Sequence, residues 1–515
     1  MAEVEEAAAA AALPLPDDAL AAILARLPPR TLAASRCVCK AWRAVVDARG
    51  LLLPHVLPHE LRGIFINFMD YPCPNFFARP SPSYPRICRD LNLNCIIDHC
   101  NGLLLCGWRN YCVVNPATRR WDRVPEPRTE TAAQDYVPYL VFDPAVSPHY
   151  EVFLIPTVPV KPKPVNPNDI PPTQFNLKGV FSDDTLCTED TEGEEDEECI
   201  EEQAEPPPPA SVQVGYFPTK RLSLSEKWKL GELLEDTYGS MEWPPSPCIL
   251  HVFSSSTRRW EERTFVRQGE AMGTVEDMRL DSLHCMSWGP RWRYGVYRQE
   301  TLYIHCRGGF VMRLSLTTGK YRIIKTPVGI DDKYQKSYVG RSVRGVYFAT
   351  ISGSLQLQVW ILNESCGQIG WVLKCHIDLE SSALRAAGRL SNYHTIDGPW
   401  ILMNPYTDNI MLPEGQSEWD SDDDDNTLRY EDVEDGDEEG LRLVDVIGFH
   451  PFKEVVFLMV SFGAVAYNLN TSKIQWLGKS LPEDYDTWCK GVHEAFPYTP
   501  CMIGELPEKI SVVTD

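Results

Sequence analysis

The chain has 515 residues, of which 43% are hydrophobic and 10% aromatic, so most of it can bury enough apolar surface to fold, in roughly two to four domains. Its formal charge of −23 is concentrated in residues 183–206, with 13 acidic and no basic side chains, and in residues 418–439, with 13 acidic side chains and one arginine. The remaining residues are close to neutral and contain no basic stripe with interleaved aromatics, which excludes nucleic acid as an expected partner.

The N-terminus and the cysteines bear on the cellular location. Residues 1–12 are alanine-rich and acidic, unlike the basic start of a secretory signal, and predict a disordered lead. The 17 cysteines are odd in number and lack framework spacing, so we expect reduced thiols and a location in the cytoplasm and/or nucleus. The longest apolar run, from Val444 to Ala466, contains charged residues, and we therefore expect no membrane partner.

Residues 15–46 have the pattern of two short amphipathic helices. The first would begin at Pro16, and it has four apolar residues at helical spacing: Leu20, Ile23, Leu24 and Leu27. Pro28-Pro29 would end it. The second carries an apolar stripe: Val38, Trp42, Val45 and Val46. About 40 residues are too few to bury such faces alone, so the rest of the chain or a partner protein must cover them.

The same stretch resembles the F-box, the helical module that binds the Skp-type adaptor of a cullin-based ubiquitin ligase. The similarity lies in LPDDALAAILARLPPRTLAASRCVCKAWR, including both Leu-Pro pairs, the Val-Cys-Lys triplet and the tryptophan. It implies an F-box at residues 13–50, a Skp-type adaptor as partner and, through the adaptor, a cullin scaffold. The alternative is an ordinary helical hairpin packed on its own domain.

The resemblance also implies which residues contact the adaptor. They are Leu15, Pro16, Ile23, Leu24, Leu27, Pro28, Leu32, Val38, Lys40 and Trp42. The apolar members would fill adaptor pockets, with Trp42 as an aromatic anchor. Adaptor contact or core packing accounts for Cys37 and Cys39 better than redox chemistry does.

Short strands replace helices in the rest of the sequence. Residues 51–97 predict an irregular connector with one strand, Gly63 to Phe68. From Cys100 onward, apolar strands alternate with polar turns, and an aromatic residue opens the strand after five of these turns: Trp121, Trp260, Tyr321, Trp371 and Trp476. This pattern predicts a repeated β-hairpin with its packing aromatic in register.

The aromatic residues also indicate how many repeats the chain holds. Their successive spacings are 139, 61, 50 and 105 residues. With a unit of about 50 residues, the first gap would hold two units plus an insertion and the last gap two units. The pattern predicts a mainly-β domain at 98–500, most simply a six-bladed β-propeller, with seven blades as an alternative. A pair of β-sandwiches is a further alternative, and a kelch repeat fits poorly.

Three phrases of this region resemble the F-box-associated propeller of plant, particularly grass, F-box proteins. They are CNGLLL followed by VVNPATRRW, then YLVFDPAVSPHYEVFLIP (139–156), and FPYTP (496–500). The insertions at 160–210 and 412–441 have no counterpart there, and residues 501–515 form a tail. The proline-rich and acidic composition of the two insertions predicts that they are disordered. They would be either solvated loops or an acidic arm that contacts a basic partner.

No motif for catalysis or metal binding is visible. GxSxG, Walker and strand-flanked GxGxxG motifs are absent. One group of possible ligands lacks paired CxxC spacing: Cys95, His99, Cys100, Cys106 and Cys112. We expect these to be packed strand residues, and we expect neither a metal nor another cofactor.

The sequence therefore predicts a non-catalytic adaptor with two binding ends. It would be the substrate-recognition subunit of a Skp–cullin–F-box (SCF) ligase, acting by proximity between an adaptor-bound F-box and a propeller-bound target protein. The alternatives are a scaffold that uses the same modules without ubiquitylation, and a propeller enzyme with polar side chains converging on its axis. The target is unknown; the candidate target-facing loops lie around Arg109, Arg258 and Tyr294.

Overall fold

The structure is a computed structural model that describes a helical module and a mainly-β region. The described residues are 16–52, 56–57, 60–69, 71, 73–80, 95–107, 111–127, 136–159, 239–282, 294–328, 336–352, 355–365, 368–379, 398–403, 427–428, 444–482, 485, 491–503 and 506–509. The predicted lead and the insertion at 160–210 lie outside them. The chain divides into two compact units, Met1–Pro159 with Met241–Asp515, and Val160–Ser240. Every element named below belongs to the first unit.

Three helices form the helical module, residues 16–52. They are α1 (Asp17–Leu24), α2 (Pro29–Ser35) and α3 (Lys40–Ala48). The prediction of two helices was wrong, because α1 ends at Leu24 and Pro28-Pro29 begins a separate helix, α2. Pro29 lies in the first turn of α2, where the missing N–H costs no hydrogen bond.

The helical module has a small core of its own. Five buried residues form it: Leu20, Leu24, Leu32, Val45 and Val46. Leu27 and Trp42 are only partly buried against this core. Because every member of the cluster lies between residues 20 and 52, the packing of the module is internal to it. Among the described residues, no helix is long and apolar enough to cross a membrane.

The mainly-β region begins with β1 (Gly63–Phe68), as the sequence predicts, and β2 (Asn75–Ala78). Within the described residues, five antiparallel runs of four strands follow. Run one comprises β3 (Ile96–Cys100), β4 (Leu103–Cys106), β5 (Cys112–Asn115) and β6 (Arg120–Arg123). Run two comprises β7 (Tyr136–Phe142), β8 (Tyr150–Pro156), β10 (Cys248–Ser254) and β11 (Arg259–Arg267).

Runs three to five repeat this arrangement. Run three comprises β13 (Gly295–Arg298), β14 (Thr301–Cys306), β15 (Phe310–Ser315) and β16 (Lys320–Lys325). Run four comprises β17 (Lys336–Ser342), β18 (Gly345–Ile351), β19 (Gln356–Asn363) and β20 (Gly370–Asp378). Run five comprises β22 (Val444–Phe449), β23 (Val455–Val460), β24 (Gly463–Asn468) and β25 (Ile474–Lys479). In each run every strand pairs with the next one along the chain.

Smaller elements lie between the runs. A two-stranded pair, β9 (Glu242–Trp243) and β12 (Gly273–Thr274), leads into α4 (Val275–Ser282). Thr274 caps α4, because its hydroxyl oxygen accepts a hydrogen bond from the Asp277 amide at 3.2 Å while the Asp277 carboxylate accepts from the Thr274 amide at 2.7 Å.

One further sheet is assembled from three distant parts of the chain, and we call it the closing sheet. Its strand order is β26 (Val492–Tyr498), β1, β2 and β21 (Ile401–Met403). β1 pairs antiparallel with β26, with Gly63 opposite Tyr498. The interpretation of residues 51–97 as a connector is therefore corrected, because residues 63–78 belong to the mainly-β region and join its first strands to its last.

The tail and the second insertion also contribute strand pairing. β27 (Glu508–Lys509) pairs with β6 and extends run one to five strands. Thr427 forms an isolated bridge with Gln475 in β25. The remaining residues of the predicted insertion at 412–441, apart from Leu428, lie outside the described part of the chain.

Runs two and three form one eight-stranded sheet that is nearly closed. Parallel pairing between β11 and β16 joins the two runs at their fourth strands. The sheet ends, β7 and β13, are first strands, and they contact each other. First strands make similar contacts around the whole region, in the order β3, β7, β13, β17, β22 and β26, and β26 returns to β3. The first strand of each group therefore faces a common centre.

The repeated aromatic residues lie where the sequence predicts, at or near the start of the fourth strand of each run. The indole nitrogens of Trp260 and Trp371 donate to the carbonyl oxygens of Pro125 and Lys325, at 2.8 and 2.9 Å. These bonds reach back to the end of the preceding run. The repeated aromatic residue therefore indicates where a hairpin lies, and in Trp260 and Trp371 it also bonds that hairpin to the preceding run.

Within the described residues, neither long gap contains two complete four-stranded units. Between Trp121 and Trp260 the described residues form one run, whose second and third strands are separated by residues 157–247. Between Trp371 and Trp476 they form run five and β21 of the closing sheet. Trp400, which immediately precedes β21, is buried and packs against Phe77 with ring centroids 5.4 Å apart.

Buried tyrosines tie neighbouring groups together through carboxylates. The Tyr347 hydroxyl of run four contacts both oxygens of the buried Glu454 carboxylate of run five, at 2.7 and 2.8 Å. Lys374 lies 3.7 Å from the same carboxylate. The Tyr150 hydroxyl likewise donates to Asp122, which also pairs with Arg258.

We expect Tyr347→Phe to lower the free energy of unfolding by about 1–3 kcal/mol, because a buried carboxylate loses its hydroxyl donor. Denaturant unfolding followed by tryptophan fluorescence measures the change. Tyr303→Phe is the matched control. Its partner Glu364 is more exposed and keeps a contact of 2.6 Å with Arg313, so its loss should be smaller. Equal losses in the two variants would contradict this account.

Candidate functional site

Two surface features could bind other proteins: the exposed side of the helical module and a cavity at one end of the ring of first strands. On the module, Ile23 and Val38 are 53% and 64% exposed, which is unusual for large apolar side chains. Leu27 and Trp42 are partly exposed, and the polar or proline positions Pro16, Pro28 and Lys40 are exposed. Leu15 lies outside the described residues.

The predicted adaptor-contacting residues divide into two groups. Leu24 and Leu32 have no exposed surface and pack in the core of the helical module. The prediction that they enter adaptor pockets is therefore corrected, because they could do so only if the module unfolded. The contact surface proposed below consequently rests on Ile23, Leu27, Val38 and Trp42.

Local hydrogen bonds fix the turn that presents Val38. The Ser35 hydroxyl donates to the Leu32 carbonyl at 2.6 Å, and the Val38 amide donates to the Ser35 carbonyl at 3.1 Å. The Cys39 sulfur then accepts a hydrogen bond from the Trp42 amide at 3.5 Å and caps α3. Cys39 is exposed, so its structural role is this cap rather than core packing.

The second feature, which we call the mouth cavity, has a volume of about 310 Å³. It lies where the first strands turn towards the second strands, and every run and the closing sheet contribute to it. The contributing residues include Asn101, Asp143, Arg298, Arg341, Phe452 and Thr499, with Leu57 from the segment that follows the helical module. The cavity therefore gathers the corresponding connections of all the strand groups at one place.

Arg341 is the most constrained charged group of the mouth cavity. Its guanidinium donates to the side-chain oxygen of Asn101 and, at 3.5 Å, to the Tyr297 carbonyl. Burial lowers the pKa of Arg341, with the charge of Arg298 acting in the same direction and that of Asp143 opposing it. Among the described residues, no carboxylate forms an ion pair with Arg341.

The turn between β3 and β4 holds Asn101 in place. Asn101 has a φ of 46°, and its side-chain amide donates to the Phe142 carbonyl at 2.6 Å. Gly102 follows with a φ of +91°, and a Cβ there would lie 2.5 Å from the Cβ of Cys501. Only glycine satisfies both conditions. The Cys-Asn-Gly triplet of the sequence thus holds Asn101, which lines the mouth cavity.

Beneath the mouth cavity, the centre of the ring is mostly filled by aromatic side chains. A space of about 40 Å³ remains between His99, Tyr294, Tyr338 and Phe496, enough for a few water molecules. Tyr294 packs against Tyr338 with ring centroids 4.2 Å apart. Burial lowers the pKa of His99 to about 3, with a smaller contribution from Arg341, so the imidazole is neutral at neutral pH.

Arg258 and Tyr294, which mark two of the loops predicted to face a target, do not line the mouth cavity. Arg258 instead pairs with Asp122, and Tyr294 lies in the space beneath the cavity. Arg109 lies outside the described residues. The sequence interpretation missed Arg341 and Arg298, whose only signal is a basic residue near the end of a first strand. Asn101 lies in the CNGLLL phrase, which by itself indicates no role for its side chain.

The cysteines considered as metal ligands lie on or beside strands. Cys100 and Cys106 are buried, and Cys95 and Cys112 are partly buried. Burial raises the pKa of Cys100 to about 12, so its thiol is neutral at neutral pH. Within the described part of the chain, no three His, Cys, Asp or Glu side chains are placed to hold a metal ion.

Comparisons with known proteins identify the helical module. The F-box domain family matches residues 13–53. F-box protein At5g07610 of Arabidopsis thaliana is 31% identical over 160 residues, which are 27% of this chain and 37% of the relative. Putative F-box protein At1g32420 of the same plant is 27% identical over 159 residues, which are 28% of this chain and 50% of the relative. The chain thus spans half or less of the length of these relatives. Residues 13–53 thus match the F-box domain family, and part of the chain is similar in sequence to two plant F-box proteins.

Proposed function

We propose that this F-box chain is the substrate-recognition subunit of an SCF ubiquitin ligase. An F-box generally serves to attach a substrate receptor to the Skp-type adaptor of such a complex, and residues 13–53 match that family. The observation that carries the proposal is the exposure of Ile23 and Val38 on a module whose own core is already filled. Large apolar side chains left in solvent beside a complete core are typical of a binding surface.

The proposed contact is centred on the turn before α3. Val38 protrudes from the turn, Ile23 from α1, and Leu27 and Trp42 are partly exposed. A partner groove that covers these residues would remove them from water, and Trp42 would supply an aromatic anchor. Lys40 and Pro28, both exposed, belong to the same predicted set and would lie at the edge of the contact.

We also propose that the mainly-β region is a six-bladed β-propeller of the F-box-associated type. Five four-stranded runs and a four-stranded closing sheet support this assignment. The cyclic contacts of the first strands, from β3 through β26 and back to β3, favour a ring over a pair of β-sandwiches. Pairing of β1 with β26 would close the ring between its two ends.

The target would bind at the propeller, and ubiquitin transfer would depend on proximity. α3 ends at Ala48 and β1 begins at Gly63, so a short segment connects the two modules. Within it, the Val56 carbonyl accepts a hydrogen bond from the Met502 amide at 2.8 Å. A short and anchored connection would hold a target at a restricted distance from the ligase, which raises the effective concentration of its lysines.

Reconstitution with purified components tests the proposed function. We expect the full chain to form a stable complex with a Skp-type adaptor and, in its presence, to recover the cullin with its RING subunit. Recovery of adaptor without cullin would favour a scaffold that does not act in ubiquitylation. Failure to bind any Skp-type adaptor, by a chain whose unfolding is cooperative, would overturn the proposal.

A further inference from the structure

We propose that the mouth cavity binds a carboxylate side chain from a segment of the target protein in which apolar residues flank the acidic one, and that Arg341 receives this carboxylate. The inference rests on the proposed function, because it assigns the target-binding end of the chain. It identifies the occupant by charge, by the arrangement of donors and by the apolar rim of the cavity.

The charges of the mouth cavity are unbalanced. Its lining contains two guanidinium groups, Arg341 and Arg298, and one carboxylate, Asp143. No ion pair joins any of these three groups to another described residue. Two partly buried cations that share a cavity destabilise each other, and a bound anion would relieve that repulsion. A net charge near +1 suits a carboxylate monoanion better than a phosphate dianion, which would also approach Asp143.

Hydrogen bonds fix the Arg341 side chain before any ligand binds. Asn101 and the Tyr297 carbonyl fix the guanidinium, and Asn101 is itself fixed by the Phe142 carbonyl and the β3–β4 turn. A planar guanidinium in a fixed orientation can donate two parallel hydrogen bonds to a carboxylate. Because the structure fixes the side chain before binding, little conformational entropy is lost when the ligand arrives.

The rim indicates what surrounds the carboxylate in the ligand. Val343 lines the cavity beside Arg341 and is 53% exposed. Phe452 and Leu57 add partly buried apolar surface. A volume of about 310 Å³ lies at the lower end of the range for ligand pockets and accommodates one or two side chains. The ligand is therefore an acidic residue flanked by apolar residues.

Peptide libraries displayed against the immobilised full chain test this proposal. Each library has nine residues, with glutamate, glutamine or phosphoserine fixed at the centre and the other positions randomised. We expect the glutamate library to be enriched about tenfold or more over the glutamine library, since a charged hydrogen bond contributes more than a neutral one. Equal enrichment, or preferential enrichment of the phosphoserine library, would overturn the proposal, and so would no enrichment of any library.

Substitutions then locate the site on the chain. We expect Arg341→Gln to weaken binding of the best glutamate peptide by about tenfold to a hundredfold, and Arg298→Gln by less. Arg322→Gln is the control, because this exposed arginine of β16 lies outside the mouth cavity and bonds to Gln268, which follows β11. Unchanged binding in both the Arg341 and Arg298 variants, with unfolding transitions like that of the parent chain, would overturn the assignment.

Arg341→Gln could instead destabilise the ring, because Asn101 would lose its hydrogen-bond donor, and the Arg298 variant keeps the proposal testable in that case. The same protein preparations are assayed for binding to the Skp-type adaptor. If the parent chain binds the adaptor but enriches none of the peptide libraries, the result counts against the mouth cavity and leaves the proposed ligase function intact. If the parent chain does not bind the adaptor, the result counts against the proposed function.

Discussion

Replacing Ile23 and Val38 together by glutamate is expected to abolish binding of the chain to a Skp-type adaptor. Each side chain is more than half exposed in the free chain and would be covered by the partner. Burying such a residue contributes roughly 1.5–3 kcal/mol, so removing two should weaken binding about a hundredfold or more. Glutamate adds the cost of burying a charge without a partner. Titration calorimetry with the purified adaptor measures the effect.

The double substitution should leave the helical module folded. Neither residue belongs to the core of the module, and exposed substitutions usually change stability by about 0.5 kcal/mol or less. Val372→Glu with Leu373→Glu is the matched control, because these two β20 side chains are 49% and 51% exposed. Adaptor affinity close to that of the parent chain in the Ile23 and Val38 variant would remove the proposed contact surface.

Leu24→Ala is expected to unfold the helical module although Leu24 lies next to Ile23 in the sequence. Leu24 has no exposed surface and is one of five buried residues in the module's core. Truncating a buried leucine costs about 2–5 kcal/mol, and a core of this size has little stability to lose. Hydrogen exchange of the amides in α1 and α3 should accelerate, while the strands of the mainly-β region keep their protection.

Excess adaptor distinguishes the two kinds of variant. A partner that binds only the folded module stabilises it by about 2.7 kcal/mol at a hundredfold excess over the dissociation constant. Leu24→Ala should therefore regain slow exchange when adaptor is added, because its contact surface is intact. The Ile23 and Val38 variant should show slow exchange without adaptor and no further change with it. Ile23→Ala is the control for the effect of alanine on helix propensity, and we expect it to leave hydrogen exchange in the helical module unchanged. Rapid exchange in this variant would contradict the assignment of Ile23 to the surface.

Local sequence patterns predicted where helices and strands lie better than they predicted which strands pair with each other. Proline positions and apolar spacing located α1 and α3, and the fourth-strand aromatics such as Trp260 located the hairpins. The closing sheet was not predicted, because pairing of Gly63 with Tyr498 leaves no local signature. β1 itself was found as a strand, and only its partner was missing.

The candidate site was predicted in part for a related reason. Helical spacing groups Ile23 with Leu24 as apolar residues, yet neighbouring residues of a helix point in different directions. Which of them faces the core depends on α3, and the sequence of α1 alone does not contain that information. Arg341 is harder still to identify. Its setting arises when the turns of several distant runs meet, so no single segment shows that its charge is enclosed.

Pairing of β1 with β26 also sets an order of events during synthesis. About 430 residues separate the two strands, and at roughly 5–20 residues per second the ribosome needs about 20–90 s to translate them. The helical module emerges first, and the residues of its core lie within 20–52. An adaptor can therefore capture the nascent chain before the partner strand of β1 exists. Until β26 arrives, one edge of β1 presents unpaired backbone groups, which makes the growing chain a candidate for chaperone protection.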